Sequence, residues 1–141
     1  MVDTVNGRGM MEGSEVTGRP ANMMPFMDAM KSGVSNSFSL SGRSSRSEFW
    51  WFVLGSNLAF ILCTILAGAI HEIFLILPLL LIPANITLSV RRLHDVGKSG
   101  WMFLLMVIPL VNLILIILWF IVDAGQPHAN SYGDVPTNTL E

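Results

Sequence analysis

Charge is what this sequence has least of. Lys, Arg, Asp and Glu make up 13% of its 141 residues, against roughly 25% in soluble globular domains. Residues 49–70, 73–90 and 101–122 contain none, which excludes the polar face that a soluble core helix needs. Cysteine is nearly absent. Cys63 stands alone, so there is no intrachain disulfide and no cysteine spacing for a metal, and it is read as packing. No Lys or Arg follows Lys98. The first 22 residues lack the apolar core of a signal peptide, so the first apolar run is expected to direct its own insertion. They are Gly-rich and polar, and are expected to be disordered.

What is present is apolar and blocked. Apolar residues form 52% of the chain. At about 1.5 Å per residue the three uncharged runs make helices of roughly 33, 27 and 33 Å, near the thickness of a bilayer core. The expected fold is an all-α membrane protein with spans at about 49–70, 73–90 and 101–122 inside a membrane domain of residues 39–136, and a short tail at 137–141. All eight Lys and Arg residues fall before the first run or between the second and third. Because basic loops stay cytoplasmic, the N-terminus is expected inside and the C-terminus outside.

Before the first span, Met23, Phe26, Met27, Met30, Val34 and Phe38 recur at helical spacing. They predict an amphipathic helix over 23–38, lying on the membrane surface or packed on the cytoplasmic loops. Ser45 and Glu48 have capping-box spacing, and Gly42 permits a sharp turn ahead of them. Pro78 and Pro83 predict a kink in the second span, and Gly97 and Gly100 turn the chain before Trp101. Pro109 and Asn112 interrupt the third run. A bent but continuous span, with Trp119 at the outer interface, is preferred. The rival is a re-entrant pair of half-helices, which requires protein to cover the exposed backbone. Asn57, Asn85 and Asn112 occur one per span and are expected to bond between helices, with a polar path as the other reading.

Three stretches carry a family resemblance. They are "FSLSGRSSRSEFWWFVL" with Gly42, Arg43, Arg46 and Glu48, "RRLHDVGKSGW" at 91–101, and "GQPHANSYGDVP" with Asn130, Tyr132 and Gly133. Together they resemble the bacterial family catalogued as domain of unknown function 805, over about residues 26–136. Lys98 stands where that family often has arginine, which keeps the charge. The resemblance implies a small multi-span protein of the bacterial inner membrane and no established activity.

The two inner stretches should meet and offer Arg43, Arg46, Arg91, Arg92 and Lys98 against Glu48 and Asp95, with His94 between. One reading is structural pairing with Glu48 and Asp95 at the inner interface, where water is limited but present and a lost pair costs nearer to a surface pair than a buried one. Another is binding of anionic phospholipid headgroups or of a partner by Arg43, Arg46, Arg91, Arg92, His94 and Lys98. A third makes His94–Asp95 an acid–base pair, but adjacent helical residues point about 100° apart and nothing completes a triad or metal site. Ser99 is read as an N-cap. Asn130 and Gly133 are read as turn residues and Tyr132 as an interfacial anchor. The expectation is a non-enzymatic interaction or accessory protein without cofactor, metal or nucleic-acid partner. Its expected partners are membrane lipids and a second copy or another membrane protein; the alternatives are a lipid-binding, small-solute transport or pore-forming subunit.

Overall fold

The structure, a computed structural model, describes residues 24–136. The disorder expected for residues 1–22, and Met23 at the start of the amphipathic segment, lie outside these residues, as does the tail from 137 to 141. The described chain is helical, with an isolated antiparallel bridge between Asn130 and Gly133.

Helix α1 (Phe26–Ser35) is shorter than the amphipathic pattern suggested and buries Ala29 and Gly33 against α2 (Arg46–Ala69). Small residues permit the approach. A Cβ on Gly33 would strike the Phe52 ring, and one on Gly55 would strike Met30. Phe26 meets Trp51 edge-on at 5.7 Å between ring centres. This packing favours the docked helix over one lying free on the membrane surface.

The second apolar run begins as a 3-10 helix at Glu72–Leu81 and becomes α3 at Ile82–Asp95. Pro78 and Pro83 each lack an N–H. Pro83 falls in the first turn of α3, where no intrahelical donor is needed. Both Arg46–Ala69 and Glu72–Asp95 are long and apolar enough to cross a membrane.

The third run departs from the preferred expectation. A 3-10 arm, Gly100–Val107, ends at Ile108, and a second arm follows as α4 (Pro109–Leu115) continued by a π-helical turn, Ile116–Val122. Ile108 is extended, at φ −85° and ψ 117°, as the clash with a following proline ring demands. The arms are about 16 Å long at 3-10 rise and about 21 Å at α rise, each short of a bilayer core of about 30 Å. The chain folds back at this break: the Lys98 ammonium lies 5.5 Å from the centre of the Trp119 ring. A continuous helix would hold those residues about 30 Å apart. Trp119 therefore does not mark the far interface, and the tail after Val122 returns to the end where α2 begins and α3 ends. The tail and the residues just before α2 therefore meet at one end of the described molecule, with Arg43 bonded to the carbonyls of His128 and Gly133.

Phe49, Phe52, Ala84, Leu88, Leu93 and Phe120 form the core, with the Phe49 and Phe120 rings 4.7 Å apart. The core is small because most large apolar side chains face outward along α2 and both hairpin arms.

Candidate functional site

The charged motifs converge where α2 starts, α3 ends and the hairpin closes. Two glycines shape the approach: Gly42 (φ 92°) and Gly97 (φ 79°) occupy left-handed conformations that other residues adopt only with strain. Gly42 lets Arg43 and Ser44 turn inward, where the Ser44 amide donates to the Arg91 carbonyl at 3.0 Å. Ser45 then caps α2 by accepting from the Glu48 amide at 3.2 Å. The return half of the capping box is missing, because the Glu48 carboxylate turns to the hydroxyls of Ser44 (2.6 Å) and Ser32 and to Arg91 (3.5 Å). A guanidinium and two hydroxyl donors hold it better than one amide.

Asp95 is the centre of the cluster. One carboxylate oxygen accepts from Arg43 Nε at 3.0 Å and the other from Arg92 Nη1 at 2.7 Å. Asp95 and Arg92 are both 0% exposed. The expectation of a wet, surface-like pair is therefore corrected: this is a buried triad, and loss of its carboxylate strands two cations.

Several other guanidinium donors go to the hairpin and tail. Arg43 donates to the carbonyls of Gln126 (2.6 Å), His128 (2.8 Å) and Gly133 (3.1 Å). Arg92 reaches the carbonyl of Asp123. Arg46 donates to the Ile121 carbonyl at 2.9 Å, and the Trp50 indole to that of Phe120 at 2.8 Å. The last carbonyls of a helix have no partner within it and carry the negative end of its dipole. Arg46, Trp50 and Arg92 thus cap the second hairpin arm from outside.

The tail is tied down further. The Gln126 amide donates to the Asp95 carbonyl at 2.8 Å, and the Asn130 amide group to the His94 carbonyl at 3.0 Å and the Gln126 side chain at 2.7 Å. Asn130 also accepts from the Tyr132 amide at 2.8 Å and bridges to Gly133, which makes the expected turn. Tyr132 lies flat on His94, with ring centres 4.0 Å apart and planes within 2°. Gly100 leaves room for Val90 and His94, which a side chain there would meet. Ser99 caps the first arm by accepting from the Trp101 amide at 3.3 Å, and Trp101 is 80% exposed.

His94 and Asp95 are neighbours in sequence but do not touch through their side chains. His94 Nδ1 faces the Gly42 carbonyl at 3.1 Å, while Asp95 serves the arginines. Among the described residues no three His, Cys, Asp or Glu side chains gather as a metal site would require. Arg91 pairs with Glu48 at 3.5 Å. It is 4% exposed, and its Nε and Nη2 have no hydrogen-bond partner among the described residues.

The asparagines behave unequally. Asn85 accepts from Ser56 of α2 at 3.4 Å. Asn57 instead donates to Val53, four residues back on its own helix, at 2.8 Å. It is exposed, and its own carbonyl ladder offers the nearest acceptor. The side-chain oxygen of Asn112 is buried without a partner. Ser56, Asn57, Asn85 and Ser89 line a cavity of about 350 Å³ between α2 and α3. Gln126, which sequence reasoning did not single out, fills the space above Gly97, and only its place in the third stretch could have flagged it.

The chain is similar to known proteins over most of its length. Inner membrane protein YhaI of Escherichia coli (strain K12) is 30% identical over 115 residues, covering 73% of this chain and 90% of that protein. Inner membrane protein YhaH of the same strain is 30% identical over 118 residues, covering 78% and 97%. No solved structure matches. The family of proteins of unknown function DUF805 matches residues 37–134, a span that takes in the cap, the arginine cluster and the latched tail, and the chain belongs to that family.

Proposed function

We infer that this chain is a non-enzymatic interaction or accessory protein of the bacterial inner membrane. Two helices cross the bilayer, the third apolar segment dips in and returns, and the ends of the described chain face the cytoplasm. The observation that carries the reading is where the buried charge goes. Arg43, Arg46 and Arg92 direct their donors to backbone carbonyls of the hairpin and tail, so the cations latch the fold instead of surrounding a reacting group. His94 has no carboxylate to orient it, since Asp95 holds two arginines, and an acid–base role needs such geometry. The inner-membrane names of the relatives support the location. All basic residues among the described ones lie in segments that open on the cluster end, which supports a cytoplasmic orientation for that end. The apolar flanks of α2 and the hairpin would serve a membrane-embedded partner or a second copy.

The test is accessibility of a cysteine in place of the exposed Ser131, in a Cys63→Ala background. A membrane-impermeant thiol reagent should label it only after spheroplasts are lysed; labelling of intact spheroplasts rejects the re-entrant arrangement or its orientation. A second reading, an anionic-lipid subunit, is favoured by Arg91, whose two unsatisfied N–H groups suit a phosphate oxygen. Phosphate-dependent stabilisation of the purified protein that vanishes with Arg91→Gln would support it.

A further inference from the structure

We propose that the groove beside His94 holds a membrane lipid by a hydroxyl-bearing, anionic head group of the phosphatidylglycerol type, with an acyl chain along its apolar wall. The groove encloses about 470 Å³ between α3, the first hairpin arm and the tail. Ile86, Val90, Phe103 and Leu104 line its length, while His94 and Tyr132 gather polar atoms at one end. A mostly apolar wall with a few convergent polar groups is the usual make-up of a small-molecule site.

Hydrogen bonding selects the head group. The Gly42 carbonyl can only accept, so Nδ1, 3.1 Å from it, carries a ring proton, and the proposal takes the imidazole as neutral. Nε2 is then left as an acceptor. It looks toward Gly100 on the groove wall, where a Cβ would come within 3.3 Å. The Tyr132 hydroxyl has no hydrogen-bond partner among the described residues. A bound head must therefore donate to Nε2 and exchange a hydrogen bond with a phenol, which glycerol does and choline does not. Ethanolamine also donates, but it brings a positive charge. Arg43, Arg46, Arg91, Arg92 and Lys98 outnumber Glu48, Asp95, Asp123 and Asp134 at this end, so an anionic head is preferred. The inference takes from the preceding reading only that the chain sits in a bilayer, and holds for either orientation.

The test uses the full chain reconstituted in phosphatidylcholine vesicles. Increasing fractions are replaced by brominated phosphatidylglycerol, phosphatidylethanolamine or phosphatidylcholine, and quenching of Trp101 is read as the difference from a Trp101→Phe protein. Half-quenching should need about fivefold less phosphatidylglycerol than phosphatidylcholine, with phosphatidylethanolamine between. Tyr132→Phe keeps the stacked ring, and His94→Asn keeps a donor toward Gly42 without Nε2; each should reduce the preference to about twofold or less. An unchanged unfolding midpoint in the same vesicles shows that the fold persists. Should either variant unfold, Gly100→Ala, whose methyl enters the space before Nε2, should give the same loss. Equal quenching by phosphatidylglycerol and phosphatidylcholine overturns the proposal, as does a preference that survives all folded groove variants. A preference lost only with Arg91→Gln moves the lipid to the arginine and overturns it equally, without touching the topology tested by labelling at position 131.

Discussion

At the arginine end, the fully buried side chains include Arg92, Asp95, Ser44 and Ser45, and Ser44 and Arg92 donate to carboxylates and a carbonyl. At the opposite end, the segment Glu72–Leu81 buries no residue at all, and its leucines and isoleucines from Ile73 to Leu80 face outward. A soluble protein would distribute these groups the other way. The contrast follows from the solvent. Lipid is as apolar as leucine, so an outward leucine loses nothing, whereas polar groups at membrane depth must find partners inside the protein. Tertiary stability should therefore concentrate in the cluster and be nearly absent from the far ends of the spans.

The sharpest way to break this comparison is Asp95→Asn, which leaves Arg43 and Arg92 buried together without their shared carboxylate. It should cost about 3–5 kcal/mol, read as loss of membrane-inserted protein and of folded population in mixed micelles. A cost under about 1 kcal/mol, the surface value, would mean that water reaches the cluster. Next comes Gly33→Val, which drives a branched side chain into the Phe52 ring and should destabilise by about 1–3 kcal/mol. Its signature is protease sensitivity of α1 with the hairpin still closed.

Arg46→Gln removes a cation from the carbonyl end of the second hairpin arm and should cost about 0.3–1 kcal/mol. Faster hydrogen exchange at residues 119–123 would report the loosened arm. The smallest effect belongs to the far end: Ile65→Ala, on an outward face of α2, should stay within about 0.5 kcal/mol in a denaturant titration. A larger loss there would reveal a neighbour that covers this face in the membrane.

Much of the architecture was legible because it is encoded locally. Uncharged runs announce apolar helices without reference to anything distant, and the Ser45 cap depends on an amide three residues away. The meeting of the "GRSSRSE" and "RRLHD" stretches followed from both flanking the same end. The hairpin was not legible for the opposite reason. Pro109 marks a break, but whether the chain bends or returns depends on who caps the carbonyls of Phe120 to Asp123, and those donors are Trp50, Arg46 and Arg92. Charge counting is silent on this tail, which has no lysine or arginine. Here its backbone oxygens, invisible to any count of charges, are what the arginines bind. The depth of Asp95 was missed likewise, since burial under a returning tail leaves no trace in the residues beside it.

The long reach of Arg43 also orders events in time. Asp95 follows it by 52 residues and the carbonyls of Gln126, His128 and Gly133 by 83 to 90. At about 5–20 residues per second of synthesis, the carboxylate is made seconds before the last of these acceptors. The nascent chain thus acquires its ion pair first and its backbone clasp last. A chain stalled after the first hairpin arm would hold Arg43 and Arg92 on one shared carboxylate with open donors, a form that membrane quality-control proteases could tell from the completed protein.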